Sequence, residues 1–381
     1  MKQFIYRIAC LSMLLAPVAC GDDNQSSEDQ NAALYGNILE QYVNTTIIPT
    51  YQSLATAALE MRAANEALKS APTDANMRAA SNAWMNARVW WELSEAFLFG
   101  PVGENALDID GHIDSWPLEL EDIQRELANG AGLTGRQAWQ KDAEVIGFHV
   151  TEYLLYRDGQ SRPVADLTTA ELNYLTAATD ALVWDCVLAY VAWVGEENVT
   201  TEMQAVFREN PDVVAHLEDN SHYKNFARKL TTAEGYSSWA DALGEIAVGA
   251  AEIAGEVGAT KIEAPYAAGN VLEVESWYSW HSIDDYCNNI KSIKNAYLGG
   301  VNDNTRQAVT LSSFVQQADA ALDSRVKAKI EDCLTKIAAI GTGGKSFYEV
   351  VRDRVNSQQV EAAVDACNEL QQLFDALPEI L

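Results

Sequence analysis

The chain has 381 residues, 48% of them hydrophobic, with 26 Lys and Arg against 55 Asp and Glu for a formal net charge of −29. Such acidity excludes nucleic acid and anionic lipid surfaces as partners, because both repel it; it suits cations as ligands, or simply a well-solvated surface. A chain this long exceeds one comfortable hydrophobic core, so two domains are expected.

At the N-terminus, Lys2 and Arg7 precede the apolar run Ile8 to Ala16. That run is too short to span a bilayer and predicts a signal peptide over 1–19. Val18-Ala19-Cys20 sets small residues directly before a cysteine, as in a lipoprotein signal, which makes Cys20 the lipidated first residue. Pro17 stands where such signals usually carry an aliphatic residue, and plain secretion after nearby cleavage is the alternative. Residues 20–33 read as a disordered acidic tether, since Gly21 to Gln30 hold nothing apolar to bury. An acidic stretch straight after a lipidated cysteine also resembles the surface-export signal of Bacteroidetes lipoproteins. The expectation is an outer-membrane lipoprotein, with surface exposure as one form of it, held by its lipid anchor alone. Loss of Lys2 and Arg7 with the signal leaves the remainder more acidic still. No later segment offers about 18 uninterrupted apolar residues, so nothing further is expected to cross the membrane.

Past the tether the pattern is helical nearly throughout, which predicts an all-α fold of two helical bundles, 34–205 and 206–381. Breaks fall at Pro49, Gly100-Pro101, Trp116-Pro117, Gly159 to Pro163, Pro211, Pro265 to Gly269 and Gly341 to Gly344.

The first segment with chemical content is Trp84 to Pro101, where Arg88, Glu92 and Glu95 share one stripe at helical spacing among Trp and Phe residues. A surface ion pair explains them equally well, although the aromatic neighbours favour burial. Asp108 to Asp114 alternates acids around Gly111, but Pro117 occupies the place of the bidentate Glu of a calcium loop. An ordered acidic loop is the expectation there.

Val145 to Tyr156 is apolar on every side, so that helix is buried. His149 and Glu152 lie on one of its faces, a turn apart. Ionisable groups in such surroundings cost several kcal/mol unless they are paired or coordinate a metal. Gly147 costs the helix about 1 kcal/mol relative to Ala, which suggests close backbone approach at that turn. The pair is either mutually satisfied or supplies two ligands to one metal, which then needs further ligands from elsewhere.

Thr168-x-x-Glu171 reads as a capping box, and Ala242 to Ala259 favours helix. In Glu273 to Tyr286, the residues Glu275, Ser279, Ser282 and Tyr286 form a polar stripe flanked by Ser276 and Asp285. Hydroxyl stripes more often serve helix backbone or water than a ligand. Helices follow over Leu322 to Ile337 and Val360 to Phe374; Cys333 and Cys367 sit on their apolar stripes, as a disulfide or as two buried thiols. The stretches Ala96 to Val102 and Ala296 to Val301 both close with aromatic-Leu and then Gly. Tandem duplication or chance explains that echo.

These same segments carry a family resemblance. Gly147-Phe148-His149-Val150-Thr151-Glu152 resembles the GxHxxE signature of the imelysin-like proteins, the group of the insulin-cleaving membrane protease and iron-regulated protein A. Ile48-Pro49-Thr50-Tyr51 is similar to the family's first helix. Ala87-Arg88, Glu95 to Pro101 and Ser115-Trp116-Pro117 are similar to its following stretch. Glu275-Ser276-Trp277-Tyr278-Ser279-x-x-Ser282-x-x-Asp285 is similar to its later element, with Ser282 replacing the usual Thr and Trp277 standing where Arg is common. The resemblance implies two helical bundles with the GxHxxE residues near their interface, and a link to iron uptake. Three functions follow from residues and resemblance together. The first is an iron-binding protein for iron acquisition, with metal ligands among His149, Glu152, Glu95, Asp285 and Glu275 and with Gly147, Arg88, Ser276, Ser279 and Ser282 completing the site. An iron-transport partner belongs to that reading. The second is a metallopeptidase, with zinc as its metal. The third is a non-catalytic surface binding module.

Overall fold

The computed structural model describes residues 27–381 apart from 104 and 131. The signal segment, Cys20 and the tether as far as residue 26 lie outside the described residues. The fold is all-α, as expected, with one short hairpin that pairs Tyr156 with Ser161 and Arg157 with Gln160.

The first helix, Ser27–Tyr42, runs through a π-turn at Val43–Ile47 into Ile48–Ser70, with Pro49 in its first turn. Residues 27–33, expected within the irregular tether, are helical instead. Tyr35, Ile38, Leu39 and Tyr42 bury one stripe of this helix, and the good helix formers Ala32 to Leu34 carry the turn pattern back toward the N-terminus. Ile48–Ser70 packs against Asp74–Glu92 and against Thr169–Val194, which together make the first bundle. The capping box at Thr168 is present as read: the Thr168 hydroxyl accepts from the Glu171 N–H, and the Glu171 carboxylate accepts from the Thr168 N–H at 2.7 Å. The helix it opens has 26 residues and is apolar enough to cross a membrane, yet 94% of its most hydrophobic stretch is buried inside the protein. It is the central rod of a core.

The second bundle comprises Trp239–Gly255, Ser282–Leu298, Ala320–Ile340 and Ser357–Asp375. Cys333 and Cys367 are buried in it as thiols. The first helix of the protein packs on Trp239–Gly255, so the N-terminal end contributes to the later bundle. The expected boundary at 205–206 falls within the helix Thr201–Glu209. One connected apolar cluster runs through both halves. Asp74–Glu92 meets Ser282–Leu298 across the seam between them, and that contact places Arg88 beside Asp285.

The cap of the central rod gives a direct check on this packing. Thr168→Ala removes one acceptor from the first turn of Thr169–Val194 and should lower stability by about 1 kcal/mol. Urea denaturation followed by circular dichroism reads the shift, and the unfolding slope should not change.

Candidate metal centre

The helix that bears the signature histidine is Gly147–Leu155; Val145, expected inside it, ends a separate 3-10 turn, Ala143–Val145. Gly147 takes φ +78, and a Cβ there would stand 2.5 Å from the Ile113 carbonyl oxygen. The close approach read from the sequence is therefore real, and its partner is the short helix Ile109–Asp114. Only glycine combines that φ with that contact. Docking of these two backbones sets Asp114 beside His149. Trp84 fixes the same turn by donating its indole N–H to the Phe148 carbonyl at 3.0 Å.

His149 and Glu152 are completely buried. His149 Nδ1 lies 3.3 Å from Glu152 Oε2, and Glu152 Oε1 accepts both the Ser279 N–H at 2.8 Å and the Ser279 hydroxyl at 2.7 Å. The carboxylate of Glu152 is thus fully engaged and orients the imidazole. The other nitrogen, His149 Nε2, lies 3.1 Å from Asp114 Oδ1 and 3.9 Å from Glu275 Oε1, yet has no aligned hydrogen bond. The Trp116 ring closes one side, edge-on to the imidazole at 4.8 Å. Burial works against the imidazolium, but the neighbouring carboxylates of Asp114 and Glu152 outweigh it and raise His149 to about 9. Burial likewise pushes the Asp114 carboxyl up, and Arg88 with His149 overrides it and holds the group well below its usual range.

Arg88 forms the floor of the centre. Its guanidinium pairs with Asp114, Glu92, Glu275 (2.6 Å) and Asp285 (3.5 Å), with no exposure of its own. Trp91 donates to the second Asp114 oxygen at 2.7 Å. Asp285 also accepts from His281 at 2.8 Å. The second buried cation, Lys261, stands 3.4 Å from Glu275 and 3.8 Å from Glu95 and Glu256. Burial dominates the remaining acids: it drives Glu92 and Glu95 far above the usual carboxylate range against the pull of Arg88 and Lys261, and with Asp114 nearby it lifts Asp110 to about 7.

Two expectations about local structure are corrected. Arg88, Glu92 and Glu95 do not share one helix: it ends at Glu92, and Glu95 belongs to a separate 3-10 turn, Glu95–Phe97. The Ser94 hydroxyl bonds back to the Trp91 carbonyl, and the Ala96 N–H is taken by the Ser292 hydroxyl at 2.9 Å, so tertiary partners capture the groups that would extend the helix. Glu95 is redirected toward Lys261. The hydroxyl stripe is not helical either, because Ser276 and Trp280 adopt φ +50 and +60 and the helix starts only at Ser282. That irregular turn is what frees the Ser279 N–H for Glu152. The Ser282 hydroxyl then pins the turn by donating to the Glu275 carbonyl.

The structure therefore gathers Arg88, His149, Glu152, Glu275, Ser279 and Asp285 in one series of direct contacts, with Glu95 joined through Lys261. Sequence reasoning missed Asp114, Asp110 and Lys261. Asp114 was legible only as one acid of a loop tested for calcium spacing. Lys261 lies in the π-helical turn Glu256–Glu263, a form common at functional sites but invisible to a helical-period reading. A cavity of about 310 Å³ opens beside the cluster, lined by Glu95, Asp110, Asp114, Trp116, Lys261 and Glu275 among others.

The donor set is one a hard or borderline cation would accept. Single ligand atoms of Asp114, His149 and Glu275 lie within 4.8 Å of one another, as do those of Glu92, Glu95 and Asp114. Buried acids outnumber the buried cations, an imbalance that an added positive charge relieves.

All-helical bundles around a buried GxHxxE helix define a class, and the comparisons agree. This protein belongs to the imelysin family, whose model (peptidase M75) matches residues 47–374. It is 25% identical over 312 residues to iron-regulated protein A of Synechococcus elongatus, covering 81% of this chain and 75% of that protein. A crystal structure described as an iron-regulated protein A precursor from Parabacteroides distasonis superposes with a TM-score of 0.76 at 26% identity, over 94% of this chain and 96% of that one. An imelysin-like protein from Psychrobacter arcticum shares the fold with a TM-score of 0.64 at 14% identity, over 91% and 94% of the two chains.

Gly147→Ala should lower stability by about 1–3 kcal/mol through backbone strain alone, more if Ile113 cannot retreat. Thermal unfolding monitored at the tryptophans is the check, and a shift no larger than that of a surface Gly→Ala control would contradict the docking described.

Proposed function

We propose that this imelysin-family protein is a cell-envelope lipoprotein that binds iron at Asp114, His149 and Glu275 and serves iron acquisition. One observation carries the reading: a completely buried imidazole nitrogen without an aligned hydrogen bond faces two carboxylates, while its other nitrogen is oriented by Glu152. A carboxylate behind a ligating histidine is the usual arrangement at metal sites; it fixes the ring and the tautomer. Glu152 on this reading positions the histidine and does not bind the metal. Asp285 does the same for Arg88. Nitrogen and oxygen donors without thiolate suit iron rather than copper(I). The names of the Synechococcus and Parabacteroides relatives point the same way. Lipidation at Cys20 would place the centre outside the inner membrane, within reach of an iron-transport partner, with no other membrane contact.

The family's classification as a peptidase supports a second reading, in which zinc occupies the centre and activates water. His149 is the sole histidine in the donor groups found among the described residues, fewer than most zinc peptidases use.

Titration calorimetry of the purified protein with Fe(II) and Zn(II) tests the proposal. His149→Ala should abolish tight binding, and Glu152→Gln should weaken it about 10- to 100-fold while leaving the stoichiometry unchanged. Failure to bind either metal refutes the reading; metal-dependent cleavage of insulin, lost in His149→Ala, would favour the peptidase instead. Cys20→Ser should move the protein from the membrane fraction to the soluble envelope fraction, as judged by blotting.

A further inference from the structure

The cluster extends past the donors that the proposed function uses, and Glu95 is its unexplained member. Glu95 is only 6% exposed. Its carboxylate makes no hydrogen bond among the described residues, and the nearest cation, Lys261, stands at 3.8 Å. Apart from Asp110, which is less buried, the acids around Arg88 and His149 have closer partners: Glu92 meets Arg88 and Asn289, Asp114 meets Arg88 and Trp91, Glu152 meets Ser279, Glu275 meets Arg88, and Asp285 meets His281. Nine-tenths burial of an ionised carboxylate so poorly served is costly, so Glu95 either keeps its proton or meets a cation closer than one distant ammonium.

Glu95 also faces open space. It lines the 310 Å³ cavity together with Asp110 and Asp114, and Glu256 and Glu273 lie farther around the same lining. A cation arriving through that cavity meets Glu95 and Asp114 together. Oxygen atoms of Glu92, Glu95 and Asp114 lie within 4.8 Å of one another, the same closeness reached by Asp114, His149 and Glu275. Asp114 belongs to both groups.

We infer that the centre has a second cation subsite, formed by Glu95 and Asp114 with Glu92, so that Asp114 bridges two metal ions when the protein is fully loaded. This rests on the proposed metal site at His149. The ligand class is a hard divalent cation, manganese(II) among them, because the subsite offers carboxylate oxygen alone. Its affinity is the lower of the two, since Arg88 already holds Glu92 and Asp114 and Lys261 lies beside Glu95. The acid-lined cavity serves as its entry, and the subsite is the stage a metal reaches before the deeper histidine.

Manganese(II) is the probe, added to the full-length protein under argon, with metal content measured after gel filtration and electron paramagnetic resonance recorded at increasing loading. Wild type should take up two ions per molecule in separable steps, and an exchange-coupled manganese spectrum should grow in with the second. Glu95→Gln, a near-isosteric change that removes the ionisable carboxyl, should keep the first step, lose the second, and never show the coupled spectrum. Lys261→Met should tighten the second step about tenfold or more, and the first step as well, because Lys261 stands 3.4 Å from Glu275. Saturation of wild type at one ion, with Lys261→Met indifferent, overturns the second subsite while leaving the metal site at His149 standing. Retention of both steps in Glu95→Gln overturns it as well. Absence of any uptake by wild type removes the His149 site and this inference with it.

Discussion

The constraint on which the rest of the structure depends is the burial of one guanidinium. Arg88 has no contact with water, so its charge must be met by protein, and the carboxylates that meet it come from separate parts of the sequence: Glu92 from its own helix, Asp114 from the short helix after the first loop, Glu275 and Asp285 from the second half. Removing one partner of such a buried pair typically costs about 3–5 kcal/mol, whereas the assembled network repays its own desolvation only when the geometry is complete. The two halves are thereby committed to one register. A slip of either bundle would strand a charge, and stranding a charge in an apolar seam is worse than losing a few methylene contacts.

Once that register is set, smaller features acquire their purpose. The positive φ of Gly147 lets the His149 helix begin against the Asp114 helix instead of a side chain's width away. The left-handed residues Ser276 and Trp280 bend the later segment so that a backbone N–H, and not merely a hydroxyl, reaches Glu152. Strain of this kind is tolerated where the surroundings over-determine it, and here both strained turns touch the centre. The outcome is a histidine oriented at one nitrogen by Glu152, with the other facing Asp114 and Glu275.

Much of this was legible in the sequence. The helical period, the capping box at Thr168, the burial of the His149 helix and the need for close approach at Gly147 all follow from local chemistry, and the structure has them. The signature carried His149 and Glu152, and its companion segments carried Arg88, Glu275, Ser279 and Asp285. What escaped depended on non-local capture. Arg88, Glu92 and Glu95 share a stripe on paper, but the Ser292 hydroxyl takes the Ala96 N–H and ends the helical continuation. The polar stripe after Glu273 has helical spacing, yet Glu152 claims the Ser279 N–H from outside the segment. Asp114 escaped for a different reason. Its importance comes from what lies 3.1 Å away and 35 positions later in the sequence, His149, and no periodicity encodes that.

The division of roles between the halves also explains why the centre sits at the seam. His149, Asp114 and Arg88 belong to the first bundle; Glu275, Lys261 and Asp285 belong to the second. Neither half alone completes the network: the first would keep only Glu92 and Asp114 on Arg88, and the second would keep Glu275 and Asp285 with Lys261 and His281 alone. A cation bound as proposed between His149 and Glu275 would hold both halves at once, so its binding energy would add directly to the stability of the closed arrangement. The same linkage runs in reverse. Any movement that parts the bundles raises the cost of keeping the ion, because the donors separate and the acids regain water. On the proposed function, capture and release of a metal by this fold would reduce to one variable, the fit of the seam, with the buried excess of carboxylate over cation setting how strongly that seam favours being occupied.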